Sequence, residues 1–474
     1  MKSKKMVNVL IFMFELVLFF FNINLLQAQS FPTSREPFLW PFAQTSIWNM
    51  PIGNNAQYAP AGLKSVSDFP NVYPYWAGGV KVDEEPIIKA NDTDPLVDVY
   101  TINSNGWGYR CTFSTPSGQQ IHFPSTEAFP DPNGSINTPN YSGVIAMADG
   151  TLFHFNALAT CGGGKIALFR YTNTENDTWF KSGSTGGHGG SGLSGYGGSI
   201  RKGELLGNNP IRHAIKLNIL AARYLVYNND ATPGYCWPAT KCDSYANPSS
   251  DNVWGYGTTN INKYSYMEMG VLLAIKPDAT PTSIGITNVI AIKLFHAFQD
   301  YGAYAVDDTH WNNYDIPMEK GVAEEVNLAT GMNLNNTSST DSYYQDMMKI
   351  FTNLYAITNN GPTNIGGGGT PRQFLAPPFT IANAEASVVL GDKNISIYPN
   401  PTSGVIKIVI NNKFDSDYTV EVYDNVGRLL QTLKKKRSVA DFDIDLGKYP
   451  AGLYIIRIHA SSRYYENKVI INRL

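Results

Sequence analysis

The chain has 474 residues, 43% hydrophobic and 16% charged, with 42 Gly, 28 Pro, 28 Tyr and a formal net charge of −3. Abundant aromatic, Gly and Pro residues with little charge favour β-rich folds joined by turns and exclude coiled coil and disorder. The length accommodates two or three domains, and the absence of a basic face excludes nucleic acid as an expected partner.

Residues 1–28 read as an export signal. Lys2, Lys4 and Lys5 form a basic start, VNVLIFMFELVLFFF is the apolar run, and Leu26-Gln27-Ala28 offers a small-residue cleavage site. Glu15 inside that run argues against a membrane anchor, and no other stretch reaches the roughly 18 apolar residues needed to span a bilayer. The signal carries a net +2 and the chain from Gly391 onward +4, so residues 29–390 carry −9 of the total −3. An acidic middle argues mildly against a strongly polyanionic substrate.

Residues 29–381 form the expected cargo domain, a large β-sandwich or jelly-roll-like fold with a few helices. Strand-like alternation recurs in VDVYTI, TLFHFNAL, KIALFRY, AIKLNIL and MGVLLAI, separated by loops rich in Asn, Gly, Ser and Pro. Val289, Ile292, Phe295 and Phe298 recur at helical spacing after a capping Asn288, which predicts a helix ending at Gly302, followed by AYAVDD as a strand. SSTDSYYQDMMKIFTNL predicts a second helix.

The stretch GGHGGSGLSGYGGSIRKGELLGNNPIRH, residues 186–213, fits no known glycine loop. A phosphate-binding loop needs Lys-Ser/Thr after its glycines, a dinucleotide loop needs a βαβ unit, and a nucleophile elbow needs Gly-x-Ser-x-Gly. What the glycines offer is close approach of backbone to a bulky neighbour. The segment is thus a shaping loop near function or a plain surface loop.

The candidate catalytic residues are Glu204, His213 and Asp307. Glu204 lies nine residues before His213 in a turn-rich segment, and Asp307-Asp308 ends a strand, where scaffolds present polar groups to a cleft. Adjacent carboxylates raise one another's pKa, which suits a general acid; the competing reading is that Asp307-Asp308 caps the turn DDTHWNN. His188, Arg201, Arg212, Tyr301, Asp308 and Trp311 are the candidate substrate contacts. No His pair has metal-ligand spacing, and neither a metal nor another cofactor is expected. Trp40, Trp48, Trp107, Trp237, Trp254 and Trp311 lie mostly in loops, where rings stack on sugar faces or fill a core. The four cysteines suit an exported chain: proximity favours Cys236–Cys242, leaving Cys111–Cys161, with zinc as the rival use.

Residues 382–390 read as a linker, and the chain beyond is built differently. NISIYPNPTSGVIKIVI, YTVEVYDNVGRLLQTL, VADFDIDLGKYPAGLYIIRIHA and YYENKVIIN alternate apolar and polar residues between turn signals. Tyr398-Pro399-Asn400-Pro401 with Thr-Ser-Gly, VYDNVGRLL, LGKYPAGLYIIRI and KVIIN resemble the type A C-terminal sorting domain of the type IX secretion system of Bacteroidota. The resemblance covers residues 391–474. It implies a small immunoglobulin-like β-sandwich, the type IX machinery as partner, passage through the periplasm across the outer membrane, and release or surface attachment.

A second set of blocks, HGGSGLSGYGGSIRKGEL, IRHAIKLN, CWPA, MEMGVLLAI and QDYGAYAVDDT, resembles an ordered set in secreted bacterial and fungal proteins without an assigned activity. The matching charged positions are Glu204, His213 and Asp307, which implies that these converge. The expectation is a secreted carbohydrate-active enzyme acting on an extracellular polysaccharide. In a hydrolase, Glu204 and Asp307 would be the carboxylate pair and His213 would orient one of them. In a lyase, His213 or Tyr301 would take a proton while Arg201 or Arg212 neutralised a uronate. The alternative is a non-catalytic carbohydrate-binding or adhesion protein.

Overall fold

In the computed structural model the described residues are 31–68, 78–135, 141–170, 178–228, 230–249, 252–258, 264–336, 338–379, 395–411, 414, 416–424, 429–460 and 463–472. The expected signal (1–28) and linker (382–390) lie outside them. Two compact units emerge, one holding Pro41–Pro377 and the other Pro378–Leu474 with Ser34–Trp40. The molecule is mostly β, built from several sheets.

In the first unit a seven-stranded sheet runs in the order Tyr58–Pro60, Leu354–Ile357, Leu272–Ile275, Ala303–Asp308, Ile215–Ile219, Tyr314–Glu319, Val80–Glu85. Its strand directions are mixed. Ala303–Asp308 pairs parallel with Ile215–Ile219, and Tyr314–Glu319 pairs parallel with Val80–Glu85. Side chains alternate across each strand. Val80, Ile215, Leu217, Ile219, Ala305, Tyr314 and Ile316 face one way into the main core. Three helices supply the same core: Val289–Asp300, Val322–Thr330 and Ser342–Thr352. The first is closed by Asn288, whose side chain accepts from the backbone N–H groups of Ile290 and Ala291; Asp341 does the same for the third. Both helices and the Asn288 cap match the sequence expectation, while the Asp341 cap does not figure in it. Burial of Phe295, Phe298 and Phe351 in this layer contributes about 1.5–3 kcal/mol each.

The other face of that sheet is polar. Register pairs Asp307 with Asn218, Asn218 with Asp315, and Asp315 with Lys81, and the two-residue period adds Asp83, Glu85 and Lys216.

The second sheet of this unit has six strands, in the order Ile87–Lys89, Gly143–Ala146, Leu152–Cys161, Lys165–Arg170, Leu96–Ile102, Ser114–His122. Its core gathers Ile88, Val99, Ile121, Phe129, Ile145, Phe155 and Leu168. The disulfide Cys111–Cys161 closes one end of it.

The C-terminal unit is two antiparallel sheets around one core. Ile395–Tyr398, Val405–Ile410 and Asp441–Asp445 form one; Leu429–Lys435, Tyr418–Asp424, Gly452–Ala460 and Arg463–Ile471 form the other. Ile406, Ile408, Val420, Val422, Ile444, Ile456, Ile458 and Val469 meet between them. Seven antiparallel strands in two sheets over a shared core give the expected immunoglobulin-like sandwich.

Candidate active site

The glycine tract lies between the two sheets of the first unit. On one side, Ser142 Oγ and Asn156 Nδ2 donate to the Gly187 carbonyl at 3.2 and 3.0 Å. On the other, Ser191 N–H donates to the Val306 carbonyl at 3.1 Å, and Ile200 bridges to Met318. A Cβ on Gly187 would stand 2.3 Å from the Phe155 carbonyl oxygen, and one on Gly195 would stand 2.6 Å from Gly143 N. The gap accepts backbone alone, which makes this a buried shaping loop rather than a surface one.

This loop carries His188, fully buried, onto the polar face of the seven-stranded sheet. Its Nε2 lies 2.7 Å from Glu85 Oε1 and its Nδ1 lies 3.3 Å from Asp307 Oδ2. An imidazole with a carboxylate at each nitrogen is best satisfied as imidazolium, donating twice. Burial and the Lys216 ammonium oppose that charge, but Asp307 and Glu85 outweigh them and raise the His188 pKa. Glu85 is the hub. Its Oε1 also accepts from Lys216 Nζ at 2.6 Å, and its Oε2 accepts from Ser199 Oγ. Lys216 donates further to the Ser194 carbonyl and to Ser199 Oγ, both at 3.1 Å, while burial lowers its pKa. These groups are enclosed and mutually satisfied, so they position rather than react.

Asp307 stands at the edge of this network. Its Oδ1 accepts from the backbone N–H of Gly190 and of Asp308, both at 3.1 Å. Facing it is Asp243, from the loop after Cys242. That loop is stitched to the glycine tract by Thr240 N–H donating to the Ser191 carbonyl at 2.9 Å. A Cβ on Gly190 would lie 2.7 Å from Asp307 Oδ1 and 3.2 Å from Asp243 Oδ2, so those two oxygens are no further apart than the two distances together, about 6 Å. Burial, then the charge of Asp307, pushes the Asp243 carboxyl up to about 7, although Tyr256 donates to its Oδ2 at 2.6 Å.

Glu204 and His213 do meet, with His213 Nε2 3.2 Å from Glu204 Oε2, and His213 Nδ1 donates to the Ala214 carbonyl at 2.9 Å. Their other partners are a different set from those of Asp307. Glu204 accepts from Arg201 N–H at 2.7 Å, and Lys293 Nζ donates to the Glu204 carbonyl at 2.5 Å. Burial opposes both charges, but mutual attraction raises the His213 pKa and lowers that of Glu204. The expected trio therefore divides into a Glu204–His213 pair that closes a turn and an Asp307 paired with His188.

The candidate substrate contacts divide similarly. Arg201 is buried, with its Nε 2.8 Å from Glu319 Oε2. Arg212 lies over the Phe31 ring at 5.1 Å, and its charge acts on Tyr301, a buried residue whose phenol is raised by burial. Asp308 Oδ1 accepts from Ala221 and His310 N–H, and its Oδ2 accepts from Tyr245 at 3.1 Å, as a turn-capping carboxylate does. His310 stacks on Trp254 with ring centroids 3.6 Å apart, beside a 39% exposed Trp311. Trp48, in contrast, is core: it is 1% exposed and its Nε1 donates to the Gly183 carbonyl at 2.6 Å.

The cysteine expectation needs one correction. Cys111–Cys161 is bonded, while Cys236 and Cys242 are free thiols. Cys236 is fixed by its N–H donating to the Met269 carbonyl at 2.9 Å, and the Cys242 thiol turns to the Pro233 carbonyl at 3.2 Å. Burial pushes the Cys236 thiol up to about 12, leaving it protonated and unreactive.

Sequence reasoning missed Asp83, Glu85, Lys216, Asn218, Asp243 and Asp315. The available signal was a charged residue at every second position of VKVDEE and the polar Lys216 and Asn218 two apart in AIKLNIL.

Residues 396–472 match the family described as a secretion system C-terminal sorting domain. This segment is a type IX sorting domain. The sorting domain marks the protein for export to the cell surface or the medium, and among the described residues no helix is long and apolar enough to cross a membrane. No curated protein matches the chain. Among solved structures, a DUF3244 family protein of immunoglobulin-like β-sandwich fold from Bacteroides vulgatus is similar at 16% identity, over 16% of this chain and 83% of that one, with a TM-score of 0.15. The CBM51-2 and INT domains of Clostridium perfringens ZmpB are similar at 18% identity over 15% of this chain and 17% of that one, with a TM-score of 0.12. Neither spans the Asp243–Asp307 unit as a whole, and neither bears on its chemistry.

Proposed function

We propose that the exported protein is a glycoside hydrolase acting on an extracellular polysaccharide, with Asp307 as nucleophile and Asp243 as general acid and base. The observation that carries this reading is the pair of carboxyl groups facing Gly190 within about 6 Å of each other. Glycosidases that retain configuration place their two carboxyls about 5–5.5 Å apart, and inverting ones place them roughly 6.5–9.5 Å apart. Retention follows.

In the first step the Asp243 carboxyl protonates the glycosidic oxygen as an Asp307 oxygen bonds to the anomeric carbon, and the alcohol leaves. In the second, Asp243, now a carboxylate, takes a proton from water as that water displaces Asp307. His188 and the Gly190 N–H hold the Asp307 carboxyl in its orientation. Glu204 and His213 brace the neighbouring turn. Lyase chemistry draws less support, because Arg201 is already held by Glu319 and Tyr301 is buried with a raised pKa.

The test is a polysaccharide panel read for new reducing ends and for unsaturated uronate. Reducing ends from at least one polymer are expected, with Asp307→Asn and Asp243→Asn each losing about 100- to 10,000-fold in rate. Glycan binding by the wild-type protein without any turnover would instead support the adhesion alternative.

A further inference from the structure

One strand beyond the Asp307–Asp243 pair, the polar face holds three acceptors that this reaction does not use. Asn218 is 4% exposed, its Nδ2 donates to Asp83 Oδ2 at 2.9 Å, and its Oδ1 is buried without a hydrogen-bond partner among the described residues. Asp83 lies beside it, and Asp315 is its register neighbour on the adjacent strand. On its other side Asn218 is the register neighbour of Asp307, about one strand spacing, roughly 4.8 Å, away. Burial and then Glu85 push the Asp83 carboxyl up to about 6, with His188 partly offsetting them. Burial and then Asp83 push Asp315 up to about 7, against the hydrogen bond from Asn313 and the field of Lys81. His188, Lys81 and Lys216 act on this corner by their charge, but Lys216 and His188 spend their bonds on Glu85 and its neighbours, and among the described residues no cation bonds to Asp83, Asp315 or Asn218 Oδ1.

Metal coordination is the obvious remedy for such a corner. Yet among the described residues no three His, Cys, Asp or Glu groups are close enough to hold a metal ion. The acceptor set suits a cation that binds through N–H bonds, and a primary ammonium has three of them for one amide oxygen and two carboxylates. We infer that Asn218, Asp83 and Asp315 bind the free ammonium group of an unacetylated amino sugar in the glycan held at Asp307. This rests on the glycosidase reading above and names its substrate class. An N-acetyl group carries no charge and brings bulk to the same corner. A uronate would be set directly against two carboxyl groups.

The experiment is calorimetric titration of the full chain with the glucosamine tetramer and with its fully N-acetylated counterpart, alongside cleavage of both. The unacetylated oligomer binds at least about tenfold more tightly, the scale of one set of charge-assisted hydrogen bonds. Asp315→Asn brings the ratio towards one, and Asn218→Asp, which adds a carboxylate, raises it. Equal binding of the two oligomers, or a ratio unmoved by both variants, overturns the inference. Selective binding that depends on Asp315, with neither oligomer cleaved, keeps the ammonium site and removes the hydrolase. Cleavage without selectivity does the reverse.

Discussion

Asp243 and Asp307 differ in what surrounds them, and the difference underlies the roles proposed for them. Asp307 accepts two backbone N–H bonds and faces an imidazolium; Asp243 has a tyrosine hydroxyl and a neighbouring negative charge. With the Asp243 carboxyl near 7, the general acid is lost as pH rises through that value. The expected profile of kcat/KM therefore falls above about pH 7, and measuring kcat/KM against pH on a cleaved oligosaccharide checks it. Glu204 and His213 make a different prediction. His213 is raised above its ordinary 6.5, so its share of stability is complete below 6.5 and fades as pH climbs through the folded value. Glu204 is lowered from 4.5, so its share is complete above 4.5 and fades on acidification. Glu204→Gln should cost about 1–2 kcal/mol between those two pH values and less in alkali, as read from denaturant melts at pH 5.5 and pH 9.

At the scale of elements, the glycine tract separates two sheets by the thickness of a backbone. Gly190→Ala places a methyl 2.7 Å from Asp307 Oδ1 and 3.2 Å from Asp243 Oδ2, beside both carboxyls of the proposed pair. The variant is expected to fold, with its circular dichroism unchanged, and to lose at least about tenfold in turnover through misplacement of the pair. The helix Val289–Asp300 was legible because Asn288, a three-and-four apolar spacing and Gly302 agree with one another. Val322–Thr330 was not, because glycines at both caps and Glu324-Glu325 in its first turn leave only Val322 and Val326 buried. AIKLNIL was legible as a strand, but not the destination of Lys216 and Asn218. Alternation tells which side chains share a face; what covers that face belongs to chain far away in sequence. Asp243 was invisible for the same reason: its partner comes from another element, and only the stitching of Thr240 to Ser191 brings them together.

At the scale of the whole molecule, the C-terminal segment carries the address and the first unit carries the proposed site. Deleting residues 391–474 is expected to leave the protein in the periplasm of a type IX-competent host, with catalytic turnover intact after lysis; immunoblots of medium, surface and periplasm distinguish this from release. Here the sequence was most informative, since YPNP, the turn signals and the alternating strands sit in one continuous stretch. In the first unit, the stretch that looks poorest in content, GHGGSGLSGYGGS, meets Phe155, Gly143, Val306 and Glu85 through its buried backbone and one histidine. Low variety in its letters is here a record of constraint. Evolution can diversify the helices and outer loops of this unit, while the monotonous tract stays the part it has least freedom to rewrite.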